Sequence, residues 1–194
     1  MNAQLDLHTL QSAWVGHEEF AIWLVNKVRP ETTVDLGVDY GFSLYALAIP
    51  RIGEVYGIDS FEADAHAGDH PDNYNIVMQF KEKHKFDNVH VIKGWFQEIV
   101  KIWSKPIQIL HIDGLHTYDA ITDDWKHWAP FVPDNGVIIM HDVTSFPDIT
   151  KFYNEINMPK AFFRHSAGLG IATKNEELLN AILHSFSHCT SGNI

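Results

Sequence analysis

The chain has 194 residues, 45% of them hydrophobic and 20% charged, and a formal net charge of −11. That size fits one domain able to bury roughly 70% of its unfolded surface, and the single Cys189 excludes an internal disulfide and suits a reducing compartment. The acidic balance argues against nucleic acid as a partner, and with no apolar run near the roughly 20 residues of a membrane span and no signal-peptide pattern, a cytoplasmic protein without a membrane partner is expected.

Residues 8–29 carry Leu10, Trp14, Phe20, Ile22, Trp23, Leu24 and Val28 at helical spacing, which predicts one or two helices ending before Pro30. Five strand-like runs follow: TVDLGV (33–38), EVYGID (54–59), NVHVIKG (88–94), IQILHID (107–113) and GVIIMHD (136–142). Helical patterns separate them, namely SLYALA, YNIVMQFKEKH, WFQEIVKIW and YDAITDDWKHWAPF. Strands that are apolar throughout and joined by helices are what a parallel sheet covered on both faces requires. After Asp142 the pattern changes. TKFYNEI reads as a helix, KAFFRHS (160–166) and LGIATK (169–174) as an antiparallel hairpin, and EELLNAILHSF as a closing helix. The polar residues around Cys189 read as a frayed end. The expectation is one doubly wound α/β domain over 1–194, with a helical segment 1–30, a cofactor-binding core 31–174 and a C-terminal helix and tail 175–194.

In such sheets ligands bind beyond the carboxyl ends of the strands. VDLGVDYGFS sets Gly37 and Gly41 at the turn after the first strand, where glycine lets the backbone turn tightly and approach a ligand. A plain tight turn would use the same pair. Asp35 favours a ligand loop, because an acid at a buried strand end needs a partner. Asp59 ends the second strand, a place from which an acid accepts hydrogen bonds from the two hydroxyls of a ribose; a turn-capping acid is the plainer alternative. Together these features ask for a nucleoside ligand and leave open a dinucleotide or an adenosyl cofactor.

Asp113 and Asp142 end the fourth and fifth strands, with His116 and His141 beside them. The two carboxylates are suited to a divalent cation, with His141 as a third ligand if the chain turns at that point. Oxygen ligands favour Mg²⁺ or Ca²⁺, and an added imidazole tilts the choice toward Mn²⁺, Zn²⁺ or Fe²⁺. Asp113 serving the cofactor directly is the alternative. His116, with an ordinary pKa near neutrality, suits a general base; a helix-entry residue bonded to backbone is the alternative. Tyr118, Asp123 and Asp124 read as surface or packing residues of the next helix, and His66 and His165 as weaker candidates for the substrate side.

DLGVDYGFS, GIDSF, NVHVIKG, IDGLHTY and HDV, in this order and spacing, resemble the class I S-adenosylmethionine-dependent methyltransferases over about residues 31–174. The likeness is closer to a subgroup associated with sugar, polysaccharide or natural-product tailoring, and FEADAHAGDH (61–70) and HSAGLGIA (165–172) look like further motifs of that subgroup. The resemblance implies a Rossmann-like sheet of about seven strands, the last two forming the hairpin. It implies that the loop from Asp35 to Ser43, with Gly37, Tyr40 and Gly41, holds the methionine end of S-adenosylmethionine. Asp59 and the adjoining Ser60 would then serve the ribose, Gly94 and Trp95 the adenine, and Asp113 the cofactor or a metal shared with His141 and Asp142. The implied reaction is O-methylation of a small-molecule or sugar acceptor. Asp39 departs from the small residue many relatives carry, and Trp95-Phe96 from their small-polar pair, which unsettles the adenine assignment.

Rival readings fare less well. A nicotinamide dehydrogenase would show Gly-x-Gly-x-x-Gly or Tyr-x-x-x-Lys, and the sequence has neither. His111-x-Asp113 resembles half of an iron-oxygenase triad, but those sites sit on all-β barrels. A catalytically silent cofactor-binding protein remains open, as does a homo-oligomer.

Overall fold

A computed structural model describes residues 3–62 and 73–194. Its described residues form eight strands in one sheet: β1 (Thr32–Leu36), β2 (Glu54–Asp59), β3 (Val89–Lys93), β4 (Ile109–Ile112), β5 (Val137–His141), β6 (Lys160–Phe163), β7 (Leu169–Ala172) and β8 (Cys189–Ser191). Their spatial order is β3-β2-β1-β4-β5-β7-β6-β8. The first five are parallel; β7 pairs antiparallel with β5, β6 with β7, and β8 with β6. The chain starts at β1, winds outward to β3 and returns to β4 on the other side of β1. That reversal opens a crevice at the carboxyl ends of β1 and β4.

The helices are α1 (Ala3–Leu7), α2 (Glu18–Val28), α3 (Phe42–Ala48), α4 (Asn73–His84), α5 (Phe96–Ile99), α6 (Tyr118–Trp128), α7 (Pro147–Glu155) and α8 (Glu176–Ser185). Strand alternation sorts the core into two layers. Val55, Ile109, Val137 and Ile139 face one cluster with α2, α3 and Phe80 of α4. Val34, Leu36, Leu110, Ile112, Ile138 and Met140 face the other with Ile121 and Trp128 of α6 and Phe152 of α7. Local sequence fixes the helix ends: Thr117 caps α6 by accepting from the Ala120 N–H, Pro147 occupies the first turn of α7, and Asn175 caps α8 through the Leu178 N–H.

Three expectations are corrected. Residues 8–17 are not helical. Trp14 there buries its ring against the sheet (1% exposed), and its indole reaches a strand histidine rather than a helical neighbour. The helix after β3 is a single turn, continued by a 3₁₀ turn over Val100–Ile102. The supposed frayed end is β8, where Thr190 pairs with Phe162 and Cys189 is buried. The sheet therefore has one strand more than the seven expected, because a buried Cys189 closes the edge that β6 would otherwise present to water.

Burial pushes the Cys189 thiol up to about 12, so almost none of it is thiolate at neutral pH. Native protein at pH 8 should react with a disulfide reagent at least about 100-fold more slowly than unfolded protein. Labelling at equal rates would show that β8 does not hold.

Candidate active site

The first loop is shaped by close backbone approach. Gly37 has φ 92°, and a Cβ there would stand 2.0 Å from the carbonyl oxygen of Asp113. Only glycine lets β1 exit so tightly against the end of β4. Gly41, with φ 91°, turns the chain into α3. Asp59 organises this loop: its Oδ2 accepts the N–H groups of Val38 (2.8 Å) and Asp39 (3.0 Å), and its Oδ1 that of Phe61 (2.7 Å). The carboxylate expected to serve a ribose thus also joins the ends of β1 and β2. Tyr40 lies half-buried on the loop and Ser60 next to Asp59, its Oγ accepting from the Glu62 N–H at 3.2 Å. The Gly94 N–H donates to the Asp59 carbonyl (2.8 Å), and Trp95 is 53% exposed at the start of α5. Asp39 adopts φ 45°, so the departure from a small residue is accommodated by left-handed backbone.

Asp35 and Ser43 sit deeper than a ligand contact. Asp35 is fully buried, its Oδ2 accepting from Ser43 Oγ (2.9 Å) and its Oδ1 lying 2.5 Å from His111 Nδ1. Burial pushes the Asp35 carboxyl up, against the charge and hydrogen bonds of His111 and Ser43. His111 in turn faces Trp14 Nε1 at 3.1 Å. No sequence signal pointed to Trp14; the alternation of His111 and Asp113 on one strand was the available hint.

Asp113, His116, His141 and Asp142 converge at the ends of β4 and β5. His116 Nε2 stands 2.8 Å from Asp142 Oδ2 and 3.6 Å from Asp113 Oδ1, and its ring stacks on Phe146 with centroids 4.2 Å apart. His141 Nδ1 lies 3.4 Å from both Asp113 Oδ2 and Asp142 Oδ2. The chain does turn at this point: Asp142 has φ 62°, which lets neighbours in sequence face one site. His141 Nε2 is 2.9 Å from the Ser166 carbonyl, so that nitrogen carries a proton. A neutral His141 would therefore aim its Nδ1 lone pair at two carboxylates. The arrangement asks for positive charge, either a second proton or a cation.

The electrostatics agree. Burial alone would lower His116 and His141, but hydrogen bonds and charge from Asp113 and Asp142 outweigh it and raise them to about 9 and about 10. Burial likewise works against ionisation of the two carboxyls, yet their histidine partners hold both below the usual range. His116 thus departs from the near-neutral base expected: without a cation it is mostly imidazolium at pH 7. One ligand atom each from Asp113, His141 and Asp142 lie within 4.8 Å of one another. Adjacent ligands of an octahedral ion bound at about 2.1 Å stand about 3.0 Å apart, so small adjustments would close the site on Mg²⁺ or Mn²⁺.

The remaining candidates fall elsewhere. His165 faces Gly16 O at 3.2 Å and packs against His17 (ring centroids 4.4 Å), bracing the N-terminal segment. His17 is itself fully buried, and burial with its imidazole neighbours lowers it to about 3. Asp124 is 4% exposed behind Gly114, and burial, then Asp123, raise its carboxyl to about 7. His66 and most of the 61–70 motif lie outside the described residues.

The fold is the Rossmann-like sheet of methyltransferases. Residues 34–143, more than half of the chain, match the family described as Methyltransferase domain, and the chain belongs to that family. The uncharacterized protein y4gI of Sinorhizobium fredii (strain NBRC 101917 / NGR234) is 27% identical over 182 residues, covering 88% of this chain and 20% of that protein. The chain thus spans about a fifth of the length of that relative. Among solved structures, the O-methyltransferase from Bacillus cereus in complex with SAH superposes with a TM-score of 0.61 at 18% identity, over 82% of this chain and 81% of that one. CalS11, a TDP-rhamnose 3′-O-methyltransferase in calicheamicin biosynthesis, gives 0.66 at 12% identity over 86% and 82%. At such identities the likeness is one of fold.

The raised histidines stabilise the folded state fully below their ordinary value of about 6.5, and that contribution is lost as pH rises through 9 to 10. The lowered carboxyls act in the opposite sense, losing theirs only as pH falls below the usual carboxylate range. In chelator, Tm should therefore decline between pH 7 and 10, and His141→Gln should flatten that decline. A wild-type Tm constant over that range would refute the paired charges.

Proposed function

We propose that this chain is an S-adenosylmethionine-dependent methyltransferase acting on a hydroxyl of a small molecule or sugar, with His116 as general base and a divalent cation at Asp113, His141 and Asp142. One observation carries the reading. Gly37 of the cofactor loop packs directly on Asp113, so the loop and the imidazole–carboxylate cluster meet at a single residue.

The cofactor supplies a methyl group on a sulfonium, whose thioether is a good leaving group. The protein's share is alignment and proton removal. Asp59 and the Gly37–Gly41 loop, braced at its ends by Asp35 and Ser43, hold the nucleoside and methionine parts, and Gly94 and Trp95 border the base. The acceptor oxygen forms its bond to the methyl carbon as the carbon–sulfur electron pair leaves with sulfur, and His116 Nε2 takes the hydroxyl proton. A bound cation would supply charge that lowers the hydroxyl pKa. Were Asp113 and Asp142 to hold such a cation, their pull on His116 would weaken and its imidazole would become a competent base nearer neutrality. The hydroxyl acceptor is supported by the O-methyltransferases among the structural neighbours, and a sugar by the TDP-rhamnose enzyme alone. The acidic composition suits an acceptor other than nucleic acid, and the buried, unpaired Cys189 suits the cytoplasm.

Asp59→Ala should weaken SAH binding by roughly 30- to 1000-fold, since it removes charge-assisted hydrogen bonds both to the ribose and to the loop N–H groups. Calorimetry on the folded variant checks this, and unchanged affinity would remove Asp59 from the site.

His116→Ala should cut single-turnover methyl transfer by about 100- to 10,000-fold while leaving SAH affinity nearly intact. In chelator, the wild-type rate should rise with pH through about 9; with Mn²⁺ the limb should move toward neutrality. Equal rates for wild type and variant at every pH would exclude His116 as the base. Full activity in chelator near neutrality would exclude the cation.

A further inference from the structure

We propose that Trp14 is a positioning residue for the cofactor loop, acting through a buried relay that runs from its indole through His111 and Asp35 to Ser43. The proposal rests on reading the Gly37–Gly41 loop as a cofactor site, and it places a working part of that site outside the residues that match the family, 34–143.

The direction of the relay follows from donor and acceptor chemistry. An indole N–H only donates. Trp14 Nε1 lies 3.1 Å from His111 Nε2, so that nitrogen presents its lone pair, and a neutral His111 carries its proton on Nδ1. The Nδ1–H then points at Asp35 Oδ1, 2.5 Å away, while the Ser43 hydroxyl donates to Asp35 Oδ2 at 2.9 Å. Trp14, His111, Asp35 and Ser43 are all buried, at 1%, 0%, 0% and 5% exposure. Water is therefore a poor substitute for any lost partner, and a buried carboxylate short of a donor is costly.

The position of Asp35 turns this relay into a clamp. Asp35 and His111 are register partners on β1 and β4, one pleat below Gly37 and Asp113. Asp35 enters the loop, and Ser43 leaves it as the second residue of α3. One carboxylate thus ties both ends of the loop together. By donating to Nε2, Trp14 keeps the proton of His111 on the nitrogen that faces that carboxylate. Without the indole donor, Nε2 is left buried and unpaired, and the imidazole can move its proton there. Nδ1 then meets Asp35 lone pair to lone pair, and the clamp opens.

Trp14→Phe keeps a ring in place and removes the donor. In the ligand-free protein, the amides of residues 36–43 should exchange with deuterium at least about 3-fold faster than in wild type. Leu5→Ala, at an exposed position of the same N-terminal segment, should leave those amides unchanged. SAH affinity of Trp14→Phe should fall roughly 3- to 10-fold, as expected for one lost neutral hydrogen bond, with kcat at saturating cofactor within about twofold. In wild type, nitrogen chemical shifts of His111 should show Nδ1–H. That measurement needs no variant, so it decides even if Trp14→Phe does not fold. Finding Nε2–H, or unchanged loop exchange in folded Trp14→Phe, overturns the relay. If Trp14→Phe binds SAH as wild type does, the positioning role falls while the cofactor reading stands. If wild type fails to bind SAH, the cofactor reading falls and the positioning role with it, leaving loop exchange to judge the clamp alone.

Discussion

Two carboxylates, Asp113 and Asp142, occupy neighbouring strand ends, and the surrounding structure answers to their charge. At separations near the 4.8 Å spanned by the candidate ligand atoms, like charges repel by about 3 to 4 kcal/mol at an effective dielectric of about 20. A neutral hydrogen bond returns only about 0.5 to 1.5 kcal/mol. Hydrogen bonds alone are therefore insufficient, and positive charge has to stand between the acids. His116 supplies it from the β4–α6 connection, held flat on Phe146; His141 supplies it from β5, held from behind by the Ser166 carbonyl. The left-handed turn at Asp142 is the backbone cost of bringing that acid into the same group. In the resting protein the raised imidazoles of His116 and His141 meet that demand.

One pleat lower, the same sheet meets a similar demand in a closed interior. Asp35 is out of reach of solvent, and its oxygens are satisfied by an imidazole and a hydroxyl that are themselves enclosed. The contrast between the layers is one of access. The upper acids keep some contact with solvent, with 21% and 9% of the Asp113 and Asp142 side chains exposed; the lower acid lies in dry protein, where each group must find a fixed partner. Trp14 touches both layers, with its ring 5.1 Å from that of His111 and 6.3 Å from that of His141.

Much of this was legible in the sequence, for identifiable reasons. β4 and β5 are largely apolar because both faces are covered, and the acids at their ends stand out against that background. The Gly37–Gly41 turn, Asp59, and the grouping of Asp113, His116, His141 and Asp142 could be placed because strand ends in a parallel sheet share one edge. Other features left no local trace. Residues 8–17 carry helical spacing, yet Trp14 serves a partner 97 residues away. Asp35 gives the same signal whether its carboxylate faces a ligand or a buried imidazole. The state of His116 depends on carboxylates that the fold alone brings near. β8 is three residues long and reads as a tail until its pairing with β6 is seen.

The β6–β7 connection carries three successive left-handed residues, Ser166, Ala167 and Gly168, and the Ser166 carbonyl receives both His141 and His17. Val15 and Gly16 close over the same turn through Ser166 Oγ and His165. The stretch recognisable by family, 34–143, therefore ends before the elements that orient its own histidine. An excised 34–143 fragment would retain every acid of the crevice while losing the backing that aims His141. The folded unit therefore needs at least the stretch from Trp14 to Gly168, and a break inside those limits would part the acids from the groups that orient their histidines.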